Sequence, residues 1–259
     1  MTQPPDIQAA ISGDKPALER IIRSVQDRVH RLAMRMLANP DDAAEATQEI
    51  LIRVVTKLST YRGESAFETW VYRIATNHLL TVRKGMAGLT FEAFEADLHS
   101  GLSDAPEAAD VVMLNELRMA CTMAMLLCLD VNHRMAYVLG DILEMEHSQA
   151  ADLLDISPAN YRKRLSRARG DVQAFTSRVC GLANPGARCA CPRRLPAARA
   201  AKRLPPDPTP GAPGYDAVKA RAAQVAGDLK TLTLQRAIGD LACPSDLASA
   251  LLAAVDPPG

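Results

Sequence analysis

Between Ser59 and Lys84 the chain reads STYRGESAFETWVYRIATNHLLTVRK, a stretch that sets flat rings among cations. Tyr61, Phe67, Trp70 and Tyr72 are four of the chain's ten aromatic residues, and Trp70 is its only tryptophan. Arg62, Arg73, Arg83 and Lys84 are interleaved with them. Together these side chains can hold unstacked bases beside a phosphate backbone, because every base offers a π-face and every phosphate a charge. The plainer use of aromatics at helical spacing is core packing, which composition alone favours.

Spacing divides the stretch. Tyr61-Arg62-Gly63-Glu64-Ser65 reads as a loop, with Gly63 giving backbone freedom and Ser65 an N-cap. From Ala66 the pattern is helical. Phe67, Trp70, Val71, Ile74 and His78 are expected to face inward, leaving Thr69, Arg73, Thr76 and Asn77 on or near the outer face. Arg73 and Asn77 are four residues apart and project side by side.

A second cluster runs from Ser148 to Val172, SQAADLLDISPANYRKRLSRARGDV, with the layout of a helix-turn-helix. Ser148 is placed to cap the first helix and Asp155 falls in the turn. Ser157 followed by Pro158 is a cap with proline at the first helical position. Helical spacing puts Tyr161, Leu165, Ala168 and Val172 on one inward face. Lys163 and Arg167 then point away, flanked by Asn160, Arg162 and Ser166. An apolar seam with a cationic opposite face suits a major groove; the bland alternative is a solvated basic helix.

Cys180, Cys189 and Cys191 form a C-x8-C-x-C pattern ahead of a Pro/Ala/Arg-rich segment. Three thiols with no histidine nearby fall short of a zinc site, and Cys243 completes one only if the tail folds back. A metal or redox site and an ordered thiol-bearing loop both stand open. No Gly-rich phosphate loop and no nucleophile–base pair at motif spacing occurs, so the sequence predicts no catalytic residue, no cofactor and no enzyme.

The elements that must position these residues are helical. Aromatics are scarce while Ala, Leu and Met are abundant, and 259 residues suffice for two small domains plus extensions. The expected fold is all-α: a helical domain over 10–84, a flexible acidic linker over 85–111, a helix-turn-helix domain over 112–176, and an extension over 177–259 with a short helical tail. Within the first domain, residues 11–37 read as one helix or a pair. After Asn39-Pro40-Asp41, Asp42 and Glu45 look like a capping box. The helix after that box buries Ala43, Ala46, Ile50, Val54 and Leu58 and shows Asp42, Glu45, Gln48, Glu49 and Arg53 outward.

Formal net charge is zero, yet the charge is segregated. From Phe91 to Asp130 eight acids, Glu107 among them, face Arg118 alone, whereas from Ala150 to Pro205 twelve cations face three aspartates. The distribution sets the binding field, so neutrality does not exclude nucleic acid. Residues 111–129 are interrupted by Asn115, Glu116 and Arg118 and are not expected to span a membrane. The N-terminus has no signal pattern, a cytoplasmic location is expected, and the six cysteines are then thiols or ligands.

YRGESAFETWVYRIATN closely resembles the promoter-melting segment of extracytoplasmic-function sigma factors, the compact branch of the sigma-70 family. DAAEATQEIL resembles that family's polymerase-binding helix, and the run closing on Leu165-Ser166-Arg167-Ala168-Arg169 resembles its −35-reading domain. The resemblance implies core RNA polymerase and promoter DNA as partners, with an anti-sigma factor as a further candidate. It implies that Asp42, Glu45, Gln48 and Glu49 face the polymerase. Tyr61, Arg62, Ser65 and Phe67 would then capture a base flipped from the −10 element, with Arg73 and Asn77 toward the DNA. Asn160, Arg162, Lys163, Ser166 and Arg167 would read the −35 element. It also implies that the acidic linker threads through the polymerase toward the RNA path. Ala46, where leucine is usual, Asp155 in place of glycine, and Asp130-Val131-Asn132 in place of a proline-led turn depart from the family pattern. Two rival readings are a stand-alone helix-turn-helix regulator and a thiol- or zinc-based redox regulator.

Overall fold

Caps written into the sequence set most helix starts in the computed structural model, which describes residues 7–82, 88–104, 110–205, 209, 211–238, 241–243 and 246–255. Arg83, Lys84 and Glu107 lie outside the described residues. The chain divides into two compact units, residues 1–85 with 151–156 and 242–259, and residues 86–150 with 157–241.

In the first unit the 11–37 pattern resolves as one long helix, with a short helix ahead of it. α1 (Ile7–Ile11) ends before Gly13, whose φ of +96° suits glycine, and Asp14 caps α2 (Lys15–Leu37) by accepting from the Ala17 amide at 2.9 Å. Ala38 closes α2 in the left-handed region. The cap of α3 (Pro40–Thr56) is Asn39, which accepts from the amides of Asp41 and Asp42, so the expected Asp42–Glu45 capping box is not used. Pro40 explains the shift: at the first helical position it gives up no needed N–H and its fixed φ starts the helix early. α4 (Phe67–Thr81) comes after a short 3-10 turn at Leu58–Thr60.

Ile21, Ile22, Leu32, Met36, Ile50, Leu51, Phe67 and Leu79 are fully buried in this unit. Each such side chain contributes about 1.5–3 kcal/mol by leaving water. One buried polar contact sits among them. The Thr47 hydroxyl donates to the Ala43 carbonyl (2.6 Å), so the His30 Nδ1 3.1 Å from it must be the donor.

The second unit corrects the linker. Residues 91–99 form α5 (Phe91–His99), capped by Thr90, and bury Phe94 and Leu98 against Met125, Phe175, Val179 and Cys189. The signal was present as Phe91, Phe94 and Leu98 at helical spacing, masked by flanking glycines and outward acids. α6 (Val111–Leu127) and α7 (Val131–Tyr137) come next, and α7 runs into a π-type turn at Val138–Ile142. There a Cβ on Gly140 would lie 2.6 Å from the Tyr161 hydroxyl, which donates to the Ala136 carbonyl at 3.0 Å.

α8 (His147–Leu153) begins one residue ahead of Ser148, which is therefore inside the helix and not its cap. Asp155 in the turn has φ +51°, a left-handed value that aspartate tolerates. Ser157 caps α9 (Pro158–Val179) as expected, accepting from the Asn160 amide at 3.3 Å.

α9 ends at Val179, beyond the expected boundary at 176, and the chain after it is no loose extension. α10 (Cys191–Ala200) seats Leu195 and Ala198 against Leu114, Leu117 and Tyr215. α11 (Tyr215–Gln224) and α12 (Asp228–Arg236) bury Val218, Ala222 and Leu234 beside Ala183. The closing α13 (Leu247–Val255) packs on α2 in the first unit, where Arg23 pairs with Asp246 at 2.8 Å.

Candidate polymerase and nucleic-acid interfaces

On α3 the inward positions Ala43, Ala46, Ile50 and Val54, with Leu58 just beyond it, are all buried. Glu45, Gln48 and Glu49 are exposed on the opposite face, and Asp42 is half-buried. Glu49 lies 4.0 Å from Arg53 and 3.6 Å from the buried His78 of α4, so it reaches toward the next helix while Gln48 stands clear in solvent. The face is polar and supported by a rigid apolar seam.

The loop before α4 closes on itself: the Tyr61 hydroxyl donates to the Ser65 carbonyl at 2.7 Å, and Gly63 has φ +74°. Tyr61, Phe67 and Trp70 form one aromatic cluster with centroids 5.4–5.7 Å apart. The inward position expected of Phe67 holds, while the cap expected at Ser65 and the outer position expected of Thr76 are corrected. Phe67 is core, at 1% exposure, and holds Tyr61 and Trp70 in place of meeting solvent. Ser65 does not cap the helix; the cap position is Ala66, without a side-chain bond. Thr76 is buried too, its hydroxyl turned back to the Arg73 carbonyl at 3.2 Å.

Arg62, Ser65, Arg73 and Asn77 are exposed. Arg73 donates to the Asp152 carboxylate at 2.5 Å, both residues belonging to the first unit.

On α9, Tyr161, Leu165, Ala168 and Val172 are buried, while Asn160, Arg162, Lys163, Ser166 and Arg167 are all exposed. These five line one open concavity of about 920 Å³ together with His133. Sequence reasoning missed His133. Asp130 caps α7 by accepting from the amides of Asn132 and His133 and also pairs with the His133 ring, which turns the imidazole into the concavity. The signal was the D-V-N-H run: an aspartate cap does the work of the proline-led turn. Arg164 reaches the Asn132 side chain at 3.5 Å.

Cations after α9 pair with the acids of residues 91–104, as does Arg178 at its end. Arg178 meets Glu95 (2.6 Å), Arg193 meets Asp104 (2.8 Å), and Arg194 and Arg203 both meet Asp97. The charge segregation seen in the sequence is therefore partly satisfied inside the second unit.

The cysteine motif does not stand alone. Cys180, Cys189 and Cys191 share a cavity with Cys121 of α6, a residue the spacing argument passed over. Burial pushes the Cys191 thiol up to about 12 and the Cys189 thiol up to about 11, and it raises Cys121 and Cys180 in the same direction. Thiols held neutral in this way are slow nucleophiles.

Compared with known proteins, residues 21–84 match the sigma-70 region 2 family and residues 119–172 match the sigma-70 region 4 family. The chain is 29% identical over 163 residues to the ECF RNA polymerase sigma factor SigE of Mycolicibacterium smegmatis, a match covering 63% of each protein. It is 27% identical over 170 residues to the ECF RNA polymerase sigma-E factor of Escherichia coli K12, covering 63% of this chain and 88% of that one. The chain thus spans just under two thirds of the mycobacterial relative. The solved structure of CnrH in complex with the cytosolic domain of CnrY superposes with a TM-score of 0.50 at 20% identity, over 68% of this chain and 97% of CnrH, a likeness of fold alone.

Proposed function

Because this chain belongs to the sigma-70 family, in its extracytoplasmic-function branch, we propose that it is a dissociable subunit of a bacterial RNA polymerase that recognises promoters and opens their strands. The chemistry of RNA synthesis belongs to the core enzyme. The observation that carries the reading is the outer face of α9, where five exposed polar and cationic side chains back onto a fully apolar seam. A helix built this way can enter a major groove and divide its contacts between base edges and phosphates.

The remaining roles rest on placement. α3 offers Asp42, Glu45, Gln48 and Glu49 to core polymerase. The Tyr61–Ser65 loop receives a base flipped out of the −10 element, at an unstacking cost of a few kcal/mol. Arg73 and Asn77, side by side on α4, meet the adjacent strand. An anti-sigma factor would compete with polymerase for the chain, and a cytoplasmic location goes with this reading. A stand-alone helix-turn-helix regulator would account for α9 but leave the α3 face and the aromatic loop without a task.

The test is reconstitution. Core polymerase with the purified chain is expected to start transcripts downstream of a shared pair of promoter elements, mapped genome-wide. Failure to bind core polymerase would sink the proposal. Asn77→Ala is expected to keep the closed complex but lower the number of permanganate-reactive thymines near the start. Equal reactivity would contradict the base-capture role.

A further inference from the structure

A small cavity of about 40 Å³ lies inside the second unit. Its wall takes Phe94 and Leu98 from α5, Met125 from α6, and Phe175 and Val179 from the end of α9. Four thiols complete it: Cys121 on α6, Cys180 and Cys189 at the two ends of a closed loop, and Cys191 at the start of α10. The Gly181 amide closes that loop by donating to the Cys189 carbonyl at 2.9 Å. Glycine is required at 181, since a Cβ there would lie 2.7 Å from the same oxygen. No carboxylate or imidazole lines the cavity among the described residues.

A cation does line it. Arg118 is only 2% exposed. Its Nε and Nη2 both donate to Asn115 Oδ1, at 3.1 and 2.8 Å, while its Nη1 has no hydrogen-bond partner among the described residues. Asn115 is neutral, so those bonds leave the guanidinium charge uncompensated. Glu116 lies two residues back on α6, on a different face, and accepts from the amide and hydroxyl of Thr209, both at 2.8 Å. Its field reaches Arg118, but burial is the larger effect and lowers the guanidinium pKa. A buried cation with an unused donor destabilises the fold until negative charge meets it. Water is a poor occupant here, because it would find one strong donor among apolar walls and not the several polar partners a buried water needs. The Thr122 hydroxyl already donates to the Arg118 carbonyl at 2.7 Å. The thiols, kept protonated by burial, offer only weak S–H donors, which suit an anion.

We propose that this cavity binds a small monovalent anion of the size of chloride or formate, held by Arg118 Nη1 and by thiol S–H groups against an apolar wall. Size sets the class. A cavity of about 150 Å³ takes benzene, so about 40 Å³ admits an ion of roughly one to three non-hydrogen atoms. Sulfate and the larger carboxylates do not fit, and a divalent ion would leave charge unmatched by a single guanidinium. Because Phe94 and Leu98 form part of the wall, the site exists only while α5 is docked. An anion that binds the closed cavity therefore favours the docked form of α5. The inference goes beyond the promoter reading and needs neither polymerase nor DNA.

The test uses the full chain, purified under reductant in potassium glutamate, whose anion is too large to enter. Chloride or formate then replaces glutamate at constant ionic strength while amide exchange is followed over Phe91–His99. At about ten times its dissociation constant, a bound ion should slow exchange there about tenfold and leave α2 and α3 unchanged. Line broadening in chloride NMR should report the bound ion directly, and formate should reverse it by competition. A response to one of the two ions alone identifies the occupant. Arg118→Met should abolish both the broadening and the slowing. If that variant does not fold, Cys121→Val keeps the charge, puts one more methyl-sized group into the cavity and should have the same effect. Equal slowing by sulfate, or slowing that survives in Arg118→Met, would be a general salt effect and would overturn the site. So would exchange that responds to neither chloride nor formate.

Discussion

Arg169 on α9 donates two hydrogen bonds to the buried carboxylate of Asp141, at 2.9 and 2.6 Å. Asp141 sits in the π-type turn after α7, so the pair fixes the rotation of α9 about its own axis. The turn and Gly140 admit the Tyr161 ring at the same place. Lys163 and Arg167 face solvent because Tyr161, Leu165 and Arg169 are committed to the interior side.

The two halves of that pair should not be equivalent under mutation. The Asp141 side chain is 6% exposed and that of Arg169 is 42% exposed. Arg169→Met strands a buried carboxylate and is expected to cost about 3 kcal/mol. Asp141→Asn leaves a guanidinium that can reach water and should cost about 1–2 kcal/mol. Denaturant titration of both variants checks the order, and equal losses would mean that Arg169 does more than neutralise Asp141.

Gln48→Ala should weaken core polymerase binding while leaving the melting temperature unchanged, because its side chain is exposed opposite a buried seam. Glu49→Ala should act in the same direction with a small stability loss, since Glu49 lies 3.6 Å from His78. A titration against core polymerase that finds both variants at parental affinity would remove α3 from the interface.

His30 supplies a pH dependence in the first unit. Burial lowers its pKa below the ordinary value, and the opposing charge of Asp27 is the smaller effect. In the folded chain it is neutral and donates to Thr47. The unfolded chain takes up the proton first, so the stability contribution is complete above about pH 6.5 and is lost as pH falls through the folded pKa. His30→Gln should flatten the fall in stability between neutral and mildly acidic pH. An unchanged slope would assign that fall to another group.

Lys163 and Arg167 can be sorted by the form of their loss. A residue reading a base should cost about 1–3 kcal/mol at one promoter position when replaced by alanine. A residue on phosphate should weaken all sequences alike and lower the salt slope by about one. Parental affinity and salt dependence in the double variant would show that α9 does not enter the groove.

Helix type and the inward faces of α2, α3 and α9 were legible because each carries an apolar stripe at one period beside a strong cap. The outer-face residues of α9 were legible for the same reason. The inward position of Phe67 was legible too, but its cluster with Tyr61 and Trp70 was not, since packing against a loop residue follows no helical period. α5 was hidden because its three apolar residues are embedded in acids that answer arginines about a hundred residues away. Cys121 escaped because thiol spacing along the chain says nothing of a helix that returns from elsewhere.

The contact between Arg194 and residues 97–100 yields the last prediction. Arg194 is buried and donates to the Ser100 carbonyl (2.5 Å) and the Asp97 carboxylate (2.9 Å), which tie α5 and the residue after it to α10. If residues 85–111 must leave this surface to thread through polymerase, the tie opposes binding. Truncation after Val179 is a poor probe, because removing Cys189 and α10 would uncover Phe94 and Leu98 along with Leu114 and Leu117. Arg194→Gln is milder: Asp97 keeps Arg203 and is partly solvated, so the loss should be about 1–3 kcal/mol and local to α5. Amide exchange over Phe91–His99 should quicken while the rest of the second unit holds its protection. Polymerase affinity should rise, since less of the binding energy is used to free the segment. Faster exchange with unchanged affinity would mean that α5 stays docked in the polymerase complex, and weaker binding would mean that the docked form is the one polymerase selects.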